Sequence, residues 1–71
     1  MEDRNEHLAW CKKRALEYLD AGDLNNAVTS MLSDLSKHPE LRGIGSKMGM
    51  IGIFAVKEGP RAVRRFIEGF N

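Results

Sequence analysis

Between Asp23 and Pro39 the apolar residues Leu24, Ala27, Val28, Met31, Leu32 and Leu35 recur at steps of one, three and four. That spacing lines one face of an α-helix and cannot line one face of a strand, whose side chains alternate. Asn25, Asn26, Thr29, Ser30, Ser33 and Asp34 fall on the opposite, polar side. An apolar stripe this wide must be covered by a second element, and the preceding segment has the matching pattern. Leu8, Cys11, Ala15, Tyr18 and Leu19 recur at helical steps, behind an Asp3/Glu6 pair spaced like a capping box. The spacing predicts a helix over about 3–20 and a second over 24–37. Gly22 is suited to the left-handed closing position of the first, Asp23 to capping the second, and Pro39 to stopping it. The two form an antiparallel helical hairpin.

Beyond Pro39 the pattern changes. Gly43 and Gly45 interrupt any helix starting at Glu40, so a loop is expected to about Gly45, followed by a helix over 46–57. Met48, Met50, Ile51, Ile53, Phe54, Ala55 and Val56 cover nearly every side of that segment, as in an element buried all round or buried in an oligomer. The run 50–56 also suits a strand, which would need another chain to pair with. Gly59-Pro60 is a sharp break, and Pro60 is a favourable first residue for a last helix over 60–69. That helix carries Val63, Phe66, Ile67 and Phe70 on one side, with Arg61, Arg64, Arg65 and Glu68 on the other. The expected fold is all-α, a single helical domain over 1–71 with three to four helices built on the hairpin.

Size adds a constraint. With 71 residues and one cysteine, Cys11, the chain has neither an internal disulfide nor a ligand cluster with metal spacing, and a core this small is marginal without staples or association. A homo-oligomer is the expectation. The acidic start Met1-Glu2-Asp3 has the wrong sign for a secretory or transit leader, which points to the cytoplasm. The uncharged run 48–56 is less than half of the roughly 20 residues that span a bilayer, so no membrane segment is expected. The net charge of +1 conceals two unlike halves. Residues 1–40 carry five basic and eight acidic residues, net −3, and residues 41–71 carry six basic and two acidic, net +4. These halves can attract within one chain or head to tail between neighbours.

Three groups of residues are candidates for function. Trp10, Met48, Met50, Ile53, Phe54 and Phe70 are large apolar side chains suited to a protein interface, Trp10 because it falls off its helix stripe. Trp10 has an alternative role, that of overlying the last helix. Lys57, Arg61, Arg64 and Arg65 form a small basic patch, either a solvated face or a site for phosphate, nucleotide or nucleic acid. Gly45, Gly49 and Gly52 lie one turn apart along one side, where lost side chains permit a neighbouring helix, or a ligand, to approach closely. Gly43-Ile44-Gly45-Ser46-Lys47 lacks P-loop spacing and a preceding strand. His7, His38 and Cys11 form no recognisable catalytic set, and the Asp20 and Asp23 carboxyls flank a surface turn. Neither an enzyme nor a bound cofactor is expected.

The hairpin resembles a single tetratricopeptide repeat at Ala15, Tyr18, Gly22-Asp23, Ala27, Met31 and Pro39. It departs at Cys11, Arg14 and Asp34 and has no second copy, whereas stacking repeats need about three. Across most of its length the chain resembles a family of very small proteins encoded by bacteriophages, especially those of actinobacteria. The matching stretches are Lys13-Arg14-Ala15-Leu16-Glu17-Tyr18, Gly22-Asp23-Leu24-Asn25-Asn26-Ala27-Val28, Ser33-Asp34-Leu35-Ser36-Lys37-His38-Pro39-Glu40 and Arg65-Phe66-Ile67-Glu68-Gly69-Phe70. That resemblance implies a phage accessory protein in the host cytoplasm that binds a host or phage protein, and it assigns no functional residue.

Overall fold

The computed structural model describes residues 3–70, apart from the side chain of Ser46; Met1 and Glu2 of the acidic start lie outside the described residues. Four helices follow in order: α1 (Arg4–Asp20), α2 (Leu24–Leu35), α3 (Arg42–Glu58) and α4 (Pro60–Glu68). Asp3 caps α1, its carboxylate accepting from the Glu6 N–H at 2.7 Å. Gly22, at φ 81°, turns the chain in a Schellman closure, with the Asp23 N–H on the Tyr18 carbonyl and the Gly22 N–H on the Leu19 carbonyl, both 2.9 Å. Asp23 then caps α2 through the Asn26 N–H. The hairpin is the one the stripes predict, except that α2 ends at Leu35 and residues 36–41 form turns.

The helix expected over 46–57 is present and the strand alternative for 50–56 is not adopted, but one expectation is corrected: α3 begins at Arg42, so Gly43 and Gly45 lie inside it and not in a loop. Packing explains this. A Cβ at position 45 would meet the Leu32 carbonyl oxygen at 3.3 Å, and one at position 52 would meet Val28 Cγ1 at 2.6 Å and Phe66 Cζ at 3.1 Å. At these two points α3 rests its backbone on α2 and α4, and that contact offsets the poor helix propensity of glycine. Gly49 does not share this role, since a Cβ there meets nothing within 4 Å. Gly59, at φ 115° and ψ −175°, reverses the chain between α3 and α4 in backbone space that only glycine enters readily.

The core is formed by Leu8, Cys11, Ala15 and Leu19 of α1, Ala27, Val28, Met31 and Leu35 of α2, Ala55 of α3, and Val63, Phe66 and Ile67 of α4, with Leu41 and Phe70 closing its ends. α2 packs on all three other helices and α4 also returns to α1, whereas the backbones of α1 and α3 do not approach each other. α3 is therefore held from two sides only. The radius of gyration is 11.1 Å, matching the roughly 11 Å expected for a closed globule of this length. Among the described residues no helix is long and apolar enough to cross a membrane.

Candidate functional site

Because only α2 and α4 cover it, α3 leaves a broad side open. Met50 is 70% exposed, Ile53 58%, Phe54 55% and Ile51 51%. Four such side chains within five consecutive residues of one helix are out of proportion to a closed core, in which Met31, Leu35 and Ile67 are fully buried. Two shallow grooves flank the ridge. The first, of about 370 Å³, runs between α3 and α4 over Met48, Ile51, Phe54 and Ala55 on one wall and Ala62, Phe66 and Phe70 on the other, with Glu58 and Arg65 also bordering it. The second, of about 590 Å³, lies between α3 and α2 over Val28, Leu32, Gly45, Gly49 and Ile53. Gly49 thus widens a groove instead of admitting a helix.

The interface residues read from the sequence do not all converge here. Met50, Ile53 and Phe54 do, and Ile51 joins them although the sequence reading omitted it. Met48 is half-buried against the core. Phe70 is corrected: it is only 7% exposed, its ring edge-on to Phe66 at 5.1 Å, and it forms groove wall rather than ridge. Trp10 stands apart on α1. It does not overlie α4; its ring is flanked by the Arg14 guanidinium at 5.0 Å, the Lys37 ammonium at 5.5 Å and the His7 ring at 5.3 Å.

Beside Trp10 lies a polar cluster that the sequence pattern placed on the solvent side. Asp34 is 2% exposed and accepts from Arg14 Nε at 2.8 Å and Lys37 Nζ at 3.1 Å. Burial pushes its carboxyl up, but the hydrogen bonds and charges of Lys37 and Arg14 together outweigh that, holding it below the ordinary carboxylate value. The backbone carbonyl of Asp34 accepts from His7 Nε2 at 2.7 Å, so that nitrogen carries the proton. His38 Nδ1 accepts from the Glu40 N–H at 3.2 Å. Both imidazoles serve the backbone, His7 joining α1 to α2, and Cys11 is fully buried. Among the described residues no three of His, Cys, Asp and Glu gather as metal ligands would.

The basic patch is divided. Arg64 reaches Asp20 at 3.3 Å and Glu68 at 3.7 Å, which ties α4 to the end of α1. Arg61, Arg65 and Lys57 are exposed and make no ion pair among the described residues. With Arg64 committed to carboxylates, Lys57, Arg61 and Arg65 are the exposed cations that the patch retains. Compared with protein-family models, curated proteins and solved structures, the chain matches none.

Proposed function

We propose that the chain is a non-enzymatic binding protein that works as a homo-oligomer and contacts protein through the exposed face of α3. One observation carries this reading: Met50, Ile51, Ile53 and Phe54, each between 51% and 70% exposed, lie on a single helix of a fold whose core is otherwise closed. With about 200 Å² for a fully exposed side chain of this size, those fractions leave roughly 450 Å² of apolar surface, at the level where patches on single chains are commonly functional. The family resemblance supplies the setting, a phage accessory protein that acts on a host or phage protein in the host cytoplasm.

A pull-down from phage-infected cells tests the reading. The double variant Ile53→Glu/Phe54→Glu changes two side chains more than half exposed, so the fold persists and the partner is lost. Undiminished capture by a folded double variant would overturn it.

A further inference from the structure

We infer that the α3–α4 flank of this face is occupied by a second copy of the chain, with α3 packed antiparallel on its own counterpart about a two-fold axis between Gly52 and Ile53. The inference rests on the reading of α3 as an interaction surface and names its occupant.

Along the groove-facing flank of α3 stand Lys47, Ile51, Phe54 and Glu58, spaced four, three and four residues apart, the seam spacing of paired helices. This seam is palindromic in chemistry. Lys47 and Glu58 lie equally far to either side of its midpoint, as do Ile51 and Phe54. A two-fold interface brings each residue of one copy against its mirror position on the other. In the antiparallel arrangement Lys47 therefore meets Glu58 of the second copy at both ends, about 16 Å apart along the helix, and Ile51 meets Phe54 twice at the centre. A parallel arrangement would instead place lysine on lysine and glutamate on glutamate.

Two further observations agree. Among the described residues neither Lys47 nor Glu58 has an ion-pair partner within its own chain, although Glu58 is an acid among the cations of residues 41–71. The area also fits a modest dimer. The exposed fractions of Met50, Ile51 and Phe54 amount to roughly 350 Å² of apolar surface at about 200 Å² each. A standard interface needs about 800 Å² per partner; with the exposed stems of Lys47 and Glu58 added, this face falls at the small end, that of weak and transient pairing. The apolar centre gives affinity, and the terminal charges fix direction and register.

Sedimentation equilibrium between about 1 and 100 µM tests this, a range that brackets a modest self-affinity. The native chain sediments at twice 8.0 kDa toward the upper end. Lys47→Glu gives an all-acidic seam and Glu58→Lys an all-basic one. Each variant alone loses self-association by more than about tenfold, because like charges meet at both ends. An equimolar mixture of the two dimerises again, as does the double variant Lys47→Glu/Glu58→Lys. Both positions are exposed, and circular dichroism confirms that the variants stay folded. A native dimer whose single variants still pair alone, or whose mixture does not pair, refutes the antiparallel register. A native chain that is monomeric throughout the range refutes the second copy as occupant; the α3 face is then judged by the pull-down of Ile53→Glu/Phe54→Glu, which does not depend on it.

Discussion

Gly49→Ala and Gly52→Ala are the same chemical change one turn apart on one helix, and the structure assigns them opposite outcomes. Replacing an interior helical glycine by alanine gains about 1 kcal/mol in propensity at either position. At Gly49 nothing lies within 4 Å of the new Cβ, so the full gain appears, worth about 4–8 °C in Tm for a domain of this size. At Gly52 the Cβ would sit 2.6 Å from Val28 Cγ1 and 3.1 Å from Phe66 Cζ, where carbon contacts prefer about 3.5–4.0 Å. Neither neighbour yields easily. Val28 is β-branched and holds one χ1 rotamer in a helix, and Val28 and Phe66 are 5% and 8% exposed. Overpacking of this kind costs about 1–3 kcal/mol. The propensity gain is common to both variants, so their difference isolates this cost: Gly52→Ala melts at least about 4 °C below Gly49→Ala. Thermal unfolding by circular dichroism at one protein concentration measures the gap. If Gly52→Ala is as stable as Gly49→Ala, α3 does not rest its backbone on Val28 and Phe66, and the packing argument fails.

Other outcomes follow from the same contacts. The Asp34 carboxyl is held below its ordinary value of 3.8, so its contribution is present above pH 4 and is lost as the pH falls through that value and the lower folded one. Asp34→Asn should cost about 1–2 kcal/mol at neutral pH, discounted because its partners are half-exposed, and should flatten the acid limb of a urea-midpoint profile; an unchanged limb would refute the pairing. Phe70→Ala should lose about 3 kcal/mol of unfolding free energy as a buried aromatic, and a loss under about 1 kcal/mol would mark it as a surface residue after all. Trp10→Ala should cost about 1 kcal/mol through its two cation contacts and leave sedimentation unchanged, whereas dissociation would move the self-association surface to α1. Inorganic phosphate at millimolar concentration should leave Tm unaltered, and a clear rise would revive the arginine patch as an anion site.

The hairpin was legible because its information is local. Stripe, cap and closing glycine sit within a few residues of Asp3, Gly22 and Asp23, and each signal works independently of the rest of the chain. The start of α3 was not legible, since a glycine reads as a helix breaker until the neighbour that requires it is known, and Leu32, Val28 and Phe66 belong to other elements. Asp34 misled for the same reason: its place in the α2 pattern is polar, but Arg14 and Lys37 converge on it from α1 and from beyond α2 and bury it. The apolar excess of 48–56 was evident in composition. Its division into a half-buried Met48 and an exposed Met50, Ile51, Ile53 and Phe54 depended on which two sides α2 and α4 cover. Phe70 went the other way, because closing the groove brings the end of the chain inward onto Phe66.

Four of the seventeen residues of α3 are glycines, so by propensity alone it is about 4 kcal/mol less favourable than an alanine-bearing helix, against a total stability of roughly 5–15 kcal/mol for an ordinary domain. The helix that presents the binding face is thus the one least able to persist unsupported. It is expected to open as a separate cooperative unit while the α1–α2 hairpin stays closed, and its amides to exchange with solvent ahead of the others. Whatever occupies the face slows that opening, so amide exchange in α3 should depend on protein concentration more steeply than that of the α1–α2 hairpin. The chain would then report its own assembly through the lifetime of one helix.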